Sequence, residues 1–435
     1  MSARHISELA VYIGQNRCGI LSQASTGALA FRYDSGYDGV PLSLSMPVGL
    51  AEYGDRIVRP YLMGLLPDEG ATRAAIGAKY GVSGENPFKL LAHIGGDCPG
   101  AVRVLPLDDK WEKGGLGALV ELSDFDIARL LADMQSSAAA AWTGKDASEG
   151  RWSLGGCQAK IALCRIDGCW YRCEGSSPTT HILKPGVSGL ENQALVEYLS
   201  MRIAESIGMP VAHTSFERFG DEWAIVVERY DRVRNEEGVE RVHQEDLCQA
   251  LGVSPLCKYA DQGGPNTPRI ISLLRSTGAA SRSNAYRFIL YLFFNYLIGA
   301  TDAHAKNHSL VYPSVGDIRL APLYDVASIA AYQSLSPRPR KPLRAALSIG
   351  GENRFGHVGA EQVEKMVDNC GLGEIGLNAD MLVGRFRTMA EMIPPAVEAE
   401  VDHALAAGFP GAHEVGEPMK IEIAENCSRT LRRLV

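Results

Sequence analysis

The sequence predicts an α+β protein in which a β-rich part precedes a mostly helical part. Residues 9–33 contain short β-prone runs separated by Gly, Asn and Ser, as in a small antiparallel sheet. From residue 241 onward, the apolar residues recur mostly at helical spacing. Between these segments lie further strand-like runs, at 159–165, 169–173, 179–184 and in a strand pair that ends at 223–232.

The chain is too long for one ordinary hydrophobic core, so we expect two or three domains in its 435 residues. Helices with Pro and Gly at their ends are predicted within 60–82 and 86–96. The polar passage 106–117 is predicted to be a linker. These features divide the chain into three predicted domains, which are 1–108, 109–235 and 236–435.

The middle of the chain is predicted to combine a hairpin with two helices. The first helix is expected at 126–142, and Ile-Asp-Gly at 166–168 is predicted to turn the chain between two strands. Ser188 and Glu191 have the spacing of a capping box at the start of the second helix. The apolar stripe of that helix repeats every four residues, at Leu195, Leu199, Ile203 and Ile207.

The composition is typical of a globular protein, with 46% apolar and 22% charged residues. A net charge of −8 and a pI near 5.8 argue against a protein that coats nucleic acid through its overall field. The first residues lack the apolar stretch of a signal peptide. The longest apolar run, 288–300, is too short to span a bilayer and contains Asn295. We therefore expect a soluble, cytoplasmic protein with no membrane partner.

The ten cysteines have no paired C-x-x-C spacing. Cys164, Cys169 and Cys173 cluster in strand-like segments, with no His at ligand spacing. A metal site and buried reduced thiols are the two interpretations of this cluster, and reduced thiols fit a cytosolic protein better.

The apolar run at 288–300 leads directly into a polar segment that contains Asp302 and Asn307, spaced as D-x-x-x-x-N. In protein kinases this spacing places a catalytic base and a metal ligand on one loop. The aspartate orients the attacking hydroxyl or accepts its proton, and the asparagine offers Mg²⁺ the oxygen donor that it prefers. The alternative interpretation is an ordinary polar helix end.

Two more segments are consistent with phosphate chemistry. Asp325 follows an apolar strand-like run, where a second metal-binding aspartate is expected, although it could also cap a helix that begins at "VASIAAY". Ser153 precedes the Gly155–Gly156 pair, and glycines let backbone N–H groups approach phosphate oxygens closely. A plain hairpin is the alternative for this turn. No Walker-type G-x-x-x-x-G-K-[ST] motif occurs in the sequence.

A strand lysine and a helix carboxylate complete the pattern. Lys184 ends the run "THILKPG", and Glu197 lies on the following predicted helix. Their pairing would be the arrangement of kinases, whereas a solvated Glu197 is the alternative. The chain order of these features is that of a two-lobed, protein-kinase-like core.

Long stretches of the sequence resemble the HipA toxin kinases of bacterial toxin–antitoxin modules. The stretches are "SLGGCQAKIAL", "PTTHILKPG", "VVERYDR" with "HQEDLCQALG", and "NYLIGATDAHAKNHSL" with "LAPLYDVAS". "SIGGENRF" and the amino-terminal "LSLSMPV" and "GLLPDEGATR" also resemble the family, so the match covers nearly the whole chain. The resemblance implies a serine/threonine-protein kinase with a two-lobed core and a small N-terminal α+β subdomain.

The resemblance also implies a role for each matching residue. Asp302 would be the catalytic base, Asn307 and Asp325 would bind Mg²⁺, and Ser153 would be the regulatory autophosphorylated serine. In this family, phosphorylation of that serine ejects the loop and silences the enzyme. The loop reads Leu-Gly-Gly-Cys here, and members differ at these positions, so its dynamics are not carried over. ATP would contact the loop, the strand lysine, the hinge and the metal region: Gly155, Gly156, Cys157, Gln158, Ala159, Lys160, Lys184, Glu228, Arg229, Tyr230, His304, Lys306, Asn307, Tyr324 and Asp325.

The family phosphorylates aminoacyl-tRNA synthetases, glutamyl-tRNA synthetase in the founding case, and thereby causes growth arrest and persistence. Its partner is a small helix-turn-helix antitoxin, HipB-like, which represses the operon with the toxin bound alongside on DNA. A basic segment could meet operator DNA within the antitoxin complex, meet an acidic substrate, or be solvated. Its residues are Arg338, Arg340, Lys341 and Arg344.

Two other functions stay open on the sequence. One is a small-molecule phosphotransferase that acts on a sugar or an aminoglycoside. The other is a catalytically weak member that serves as an antitoxin-bound transcriptional co-repressor. The presence of Asp302, Asn307, Asp325 and Lys184 argues against the co-repressor.

Overall fold

The structure, a computed structural model, divides the chain into two compact units. Unit 1 comprises Met1–Pro185, Glu217–Leu256 and Ser309–Gly316, and unit 2 comprises Gly186–Phe216, Cys257–His308 and Asp317–Val435. The structure describes residues 7–50, 52–107, 109, 117–143, 151–187, 189–236, 238–333 and 343–435.

The first part of unit 1 is an antiparallel sheet with three helices. The strands are β1 (Glu8–Ile13), β2 (Asn16–Gln23), β3 (Leu29–Tyr33), β4 (Tyr53–Gly54) and β5 (Val102–Pro106), in the order β4-β3-β2-β1-β5. The helices are α1 (Asp55–Gly64), α2 (Gly70–Tyr80) and α3 (Pro87–Ile94). The predicted antiparallel sheet and helices are confirmed, but α1 begins before Pro60. The Asp55 carboxylate accepts a hydrogen bond from the Leu29 N–H at 2.9 Å and so holds the first turn.

The rest of the β-rich part follows in chain order. It contains β6 (Leu119–Leu122), α4 (Asp124–Ser136), α5 (Ala140–Thr143), β7 (Ile161–Ile166), β8 (Cys169–Cys173), β9 (His181–Lys184), α6 (Gln193–Ser206), β10 (Thr214–Phe219), β11 (Glu222–Glu228), β12 (Arg232–Asn235), β13 (Gly238–Arg241), β14 (His243–Asp246) and α7 (Leu247–Ala250). Within unit 1, antiparallel pairing joins β11 to β9, β9 to β7, β7 to β8 and β8 to β6. Helix α6 belongs to unit 2.

Two local predictions in this region have different outcomes. The Ile-Asp-Gly turn is confirmed, because Asp167 and Gly168 have φ angles of 50° and 86° and join β7 to β8 as a two-residue hairpin turn. The single helix predicted at 126–142 is instead two helices. Ser137 ends α4 with an extended backbone, φ −154° and ψ 118°, and α5 starts three residues later.

Most of the chain after residue 241 is helical, as predicted. The elements are α8 (Thr267–Arg275), α9 (Ser281–Leu297), β15 (Ser309–Ser314), β16 (Asp317–Leu320), α10 (Ala330–Gln333), β17 (Arg344–Ile349), β18 (Glu352–Arg354), α11 (Ala360–Asn369), α12 (Ala379–Ala406) and α13 (Ala412–Leu431). None of the described helices is both long and apolar enough to cross a bilayer.

Helix α6 confirms the predicted stripe but not the predicted start. Leu195, Leu199, Ile203 and Ile207 are all buried. The helix begins at Gln193, after Asn192 in the left-handed conformation with φ 59°, and Asn192 makes no side-chain capping bond. Ser188, the first member of the predicted capping box, lies outside the described residues.

Helix α9 contains most of the long apolar run, and all its residues from Tyr291 to Leu297 are buried, as expected for a helix that ends in the core. Asn426 caps its last turn by donating hydrogen bonds to the carbonyls of Tyr296 and Leu297, at 2.9 and 2.8 Å. The Ser328 hydroxyl donates to the Ile298 carbonyl at 2.5 Å. These bonds fix the point at which the chain leaves the helix, just before the segment that holds Asp302.

A buried carboxylate, Glu245 of β14, joins two parts of unit 1. It accepts hydrogen bonds from Ser43 Oγ at 2.5 Å, from the Leu44 N–H at 2.8 Å and from the Tyr312 hydroxyl. Burial nevertheless raises the pKa of Glu245 to about 7, because desolvation outweighs these donors.

We expect this group to make unit 1 less stable as the pH rises. A carboxyl whose pKa is raised in the folded state favours folding at low pH, and that contribution is lost between its ordinary pKa of 4.5 and about 7. Relative to Glu245→Gln, the wild-type free energy of unfolding should fall by about 3 kcal/mol over this interval. Urea denaturation at pH 5 and pH 8 measures the difference. Equal pH dependence of the two proteins would contradict it.

Candidate functional site

In unit 2, one asparagine joins the two aspartates that the sequence singles out. Asn307 lies in a 3₁₀ turn, Ala305–Asn307, a few residues beyond the end of α9. Its side-chain NH₂ donates to the backbone carbonyl of Asp302 at 2.9 Å and to that of Asp325 at 3.4 Å. The Asp302 side chain is 68% exposed and therefore open to solvent. The alternative of an ordinary polar helix end does not account for this junction.

Asp325 does not cap a helix. Helix α10 begins only at Ala330. The Ala330 N–H donates a hydrogen bond to Ser328 Oγ at 3.1 Å. Asp325 itself has a left-handed backbone with φ 57°, which is uncommon for residues other than glycine. Just before it, Leu323 is tied to the segment 210–212 by two backbone hydrogen bonds of 2.8 and 2.9 Å. The capping alternative is therefore wrong, and Asp325 has a fixed, unusual conformation next to Asn307.

The residues fit a hard cation such as Mg²⁺. Because the Asn307 NH₂ group is taken up by two backbone carbonyls, its carboxamide oxygen keeps the ability to coordinate a metal. Asp325 would supply a carboxylate oxygen to the same ion. Among the described residues, no group of three or more His, Cys, Asp and Glu side chains could hold a metal, and this includes the cluster of Cys164, Cys169 and Cys173.

The other predicted residues of unit 2 surround this junction. His304 is buried, with Nε2 3.9 Å from Asp302 Oδ1. The Tyr324 hydroxyl donates to the Lys306 carbonyl at 3.1 Å. His308 packs against the rings of Phe288 and Tyr291, and desolvation together with the nearby His304 lowers its pKa to about 3. His308 is thus a neutral core residue at physiological pH.

One residue at this site was missed by sequence reasoning. The Tyr259 hydroxyl donates a hydrogen bond to Asp302 Oδ1, and its ring meets the ring of His304 edge-on, with centroids 4.9 Å apart. Tyr259 lies far from Asp302 along the chain and in no recognisable motif. Only the folded chain reveals the contact.

In unit 1, the glycine-containing segment 151–160 is not a plain hairpin. It is attached to two other segments by isolated parallel bridges, Asp97 with Trp152 and Pro67 with Gly156. Ser153 is fully buried, its N–H donates to the Asp97 carbonyl at 2.9 Å and its Oγ donates to the Leu65 carbonyl at 2.6 Å. The hairpin alternative is therefore wrong.

The tip of this loop is held closely. Gly156 has φ 101°, and a Cβ added there would lie 2.4 Å from Lys160 Nζ, so this position requires glycine. Lys160 Nζ donates to the Gly155 carbonyl at 2.8 Å. The Gly156 N–H points at Asp68 Oδ1 at 3.4 Å, and Cys157 is exposed. Gln158 and Ala159 are half-buried. The tip of the loop is thus held by the Lys160 ammonium group and by the Asp68 carboxylate, and its binding of phosphate stays a prediction.

The predicted strand lysine and hinge residues are also in unit 1. Lys184 is buried at the end of β9 and pairs with Ile225 of β11. Glu228 is exposed at the end of β11, and the Tyr230 hydroxyl donates to Gln244 Oε1. Arg229 points away from solvent, so only its backbone could contact a nucleotide.

The Arg229 side chain belongs to a buried ionic cluster that was not predicted. Its guanidinium contacts Asp97 Oδ2 at 3.3 Å and Asp231 Oδ2 at 2.8 Å. Arg232 and Arg241 each reach Asp97 Oδ1 at 2.9 Å. Because Asp97 also carries the backbone bonds to the Ser153 segment, the cluster connects the predicted loop to the predicted hinge.

Two of the remaining predictions are not decided by these contacts, namely the pairing of Glu197 with Lys184 and the role of the basic segment. Glu197 is 1% exposed, so the solvated alternative for it is wrong. Its pairing with Lys184 joins residues of different units and stays a prediction. Of the basic segment, Arg338, Arg340 and Lys341 lie outside the described residues, whereas Arg344 is exposed and donates to Asn353 Oδ1 at 3.0 Å.

Comparison with known proteins places these residues in a family. The HipA N-terminal domain matches residues 9–105, and the HipA-like C-terminal domain matches residues 152–397. The chain belongs to the HipA family, and its fold is the α+β, two-lobed kinase-like fold predicted from the sequence.

Two relatives and one solved structure extend the match over most of the chain. The protein Y4mE of Sinorhizobium fredii is 35% identical over 364 residues, which cover 82% of this chain and 84% of that protein. The serine/threonine-protein kinase toxin HipA of Shewanella oneidensis is 29% identical over 424 residues, which cover 92% of this chain and 90% of that protein. A solved complex of Shewanella oneidensis HipA with HipB and operator DNA matches with a TM-score of 0.80 and 25% identity. The match covers 98% of this chain and 97% of the solved chain.

Proposed function

We propose that this HipA-family protein is a serine/threonine-protein kinase that transfers the γ-phosphoryl group of ATP to a protein hydroxyl. The observation that supports this best is the junction in unit 2, where Asn307 donates hydrogen bonds to the backbone of both Asp302 and Asp325. In this proposal Asp302 supplies the hydroxyl-orienting carboxylate, and Asn307 and Asp325 supply two oxygen ligands for a metal. The junction supports it by holding the backbone of the three residues together. Catalysis of this kind depends mainly on positioning and charge neutralisation.

Each predicted residue has a part in this proposal. Asp302 orients the substrate hydroxyl and takes its proton, and Asn307 and Asp325 hold Mg²⁺, which when bound neutralises phosphate charge. The loop from Gly155 to Lys160 and the side chain of Lys184 bind the phosphates, and Glu228, the Arg229 backbone and Tyr230 form the adenine-binding hinge. His304, Lys306 and Tyr324 support the nucleotide and the metal ligands. We also propose the domain division 1–108, 109–235 and 236–435.

We propose further that the chain acts in the cytoplasm as a toxin with an aminoacyl-tRNA synthetase as its substrate. The kinase toxin HipA of Shewanella oneidensis supports the toxin assignment, and its solved complex contains HipB and operator DNA. A HipB-like helix-turn-helix antitoxin is accordingly the proposed partner here. Operator DNA would be contacted only within that complex.

The proposal is tested by transfer of labelled phosphate from Mg-ATP to a panel of purified aminoacyl-tRNA synthetases. Label in one synthetase that disappears with EDTA supports a metal-dependent protein kinase. A parallel incubation with sugars and aminoglycosides tests the small-molecule alternative. If label enters a small molecule and no protein, the proposed substrate class is wrong.

Ser153 is the proposed autophosphorylation site, and its burial has a clear consequence. A phosphate dianion does not fit where Ser153 Oγ now donates to the Leu65 carbonyl, so the modified loop must leave that position. We expect Ser153→Ala to lose autophosphorylation and keep its initial rate of substrate phosphorylation, because the lost bond contributes only about 1 kcal/mol. Intact-mass measurement over an ATP time course checks this. Ser22→Ala, whose hydroxyl donates to the Ala30 carbonyl, is the matched control, and phosphate uptake by Ser153→Ala equal to that of the control would contradict the site.

A further inference from the structure

The hydrogen bond between Tyr259 and Asp302 has no part in the function proposed above. We infer that Tyr259 is a positioning residue, which holds the Asp302 carboxylate in the orientation needed to receive a substrate hydroxyl. This inference rests on the proposed kinase function, because it assigns Tyr259 a task in that reaction. Tyr259 acts through Asp302 and need not touch the substrate itself.

The segment around Tyr259 is built to hold this side chain still. The Tyr259 carbonyl accepts backbone hydrogen bonds from Gln262 at 3.1 Å and from Gly264 at 2.9 Å, which closes a tight 3₁₀ turn. A Cβ at Gly264 would lie 2.0 Å from the Cys257 carbonyl oxygen, so the turn closes only around glycine. The Tyr259 backbone is therefore fixed by its own loop.

The ring of Tyr259 is fixed from a second direction. Its edge-on contact with the buried His304 places the ring between its own turn and the polar segment that follows α9. The hydroxyl then reaches Asp302 Oδ1 on the same segment.

Asp302 needs a support of this kind. Its side chain is 68% exposed, and rotation about the last bond of an aspartate side chain is only weakly restricted. A hydroxyl that donates to one carboxylate oxygen holds the plane of the carboxylate group in one orientation. The carboxylate can still accept a bond from the substrate, because its two oxygens offer about four lone-pair sites.

The test is Tyr259→Phe, which removes the hydroxyl and keeps the ring on His304. We expect kcat for substrate phosphorylation to fall about tenfold, with an unchanged KM for ATP. Tyr332→Phe is the matched control, since that hydroxyl also lies in unit 2 and donates to the Glu191 carbonyl at 3.0 Å. The control should behave as wild type.

Two further measurements separate this inference from the proposed function. In an Asp302→Asn background, Tyr259→Phe should not lower kcat further, because Tyr259 acts only by orienting the Asp302 carboxylate. Carbodiimide labelling of Asp302, followed by mass spectrometry, should be faster in Tyr259→Phe whether or not the protein transfers phosphate. Wild-type kcat with wild-type labelling would overturn the inference, and a raised kcat would show that the hydroxyl blocks the site instead. If wild type transfers no phosphate, the proposed function is wrong. The labelling rate alone then tests whether the Tyr259 hydroxyl holds the Asp302 carboxylate.

Discussion

Replacing Asp302 by Asn should lower phosphoryl transfer by roughly 10²- to 10⁴-fold, the range contributed by a positioned general base. The substitution keeps the size of the side chain and removes the charge that orients the substrate hydroxyl. The Asn307 bond is made to the backbone carbonyl of Asp302, so the local structure should survive. Labelled phosphate transfer from Mg-ATP measures the effect, and calorimetry should still detect nucleotide binding.

The matched control for this prediction is Asp368→Asn. Asp368 is an exposed aspartate of α11 in the same unit, far along the chain from the junction. Loss of the Asp368 carboxylate should leave the rate of phosphoryl transfer unchanged. Asp325→Asn should lower the rate as much as Asp302→Asn does. It should also raise the Mg²⁺ concentration needed for half of the maximal rate. If Asp302→Asn phosphorylated substrate at the wild-type rate, the site assignment would be wrong.

Replacing Asp97 by Asn should destabilise unit 1 by about 3–5 kcal/mol, the cost of breaking a buried ion pair. Asp97 is 1% exposed and contacts Arg229, Arg232 and Arg241. Without its charge, Arg229 and Arg232 still contact Asp231, whereas Arg241 loses its ion pair with Asp97. Urea denaturation measures the loss. The Ser153 segment should also become more accessible to protease, because it bonds to the Asp97 backbone.

The same carboxylate predicts the pH dependence of that loss. Burial opposes ionisation of Asp97, but the charges of Arg232, Arg241 and Arg229 and the Thr179 hydroxyl outweigh it and hold the pKa of Asp97 well below its usual value of 3.8. A lowered pKa stabilises the folded state above the unfolded pKa, and this contribution is lost as the pH falls. The difference in the free energy of unfolding between wild type and Asp97→Asn should therefore become smaller below about pH 4.

The matched control is the exposed pair of Arg17 and Asp34, 2.6 Å apart in the same unit. Their side chains are 49% and 27% exposed, so solvent screens the attraction. Asp34→Asn should cost less than about 1 kcal/mol. An equal loss of stability in the two variants would show that burial of the Asp97 cluster does not matter.

Elements with a clear local pattern could be predicted from the sequence. The buried stripe of α6 followed from apolar residues every four positions, and the Asp167–Gly168 turn followed from the conformational freedom of those two residue types. The split between α4 and α5 was missed, because the sequence around Ser137 gives no strong stop signal. The start of α1 was missed as well, because the Asp55–Leu29 bond that holds it depends on a distant strand.

The site was predictable in its residues but not in its connections. Asp302, Asn307 and Asp325 stand out by residue type and order, and Gly155 and Gly156 stand out as a glycine pair. The sequence left open whether Asp325 caps a helix and whether the glycines form a hairpin, and the structure answers no to both. Either answer was compatible with the local sequence, since each depends on backbone partners outside the segment.

What the sequence by itself determined is the α+β order, the buried helix before the polar segment, and the identity of the residues that could carry phosphoryl transfer. These depend on periodicity and residue type, which act over a few neighbours. Only the tertiary structure decided that Asn307 joins Asp302 to Asp325, that Tyr259 reaches Asp302, and that Asp97 connects the Ser153 segment to Arg229. Apart from the bond between Asn307 and Asp302, these contacts bring together residues distant in the chain, and such hydrogen bonds and ion pairs leave no periodic trace in the sequence.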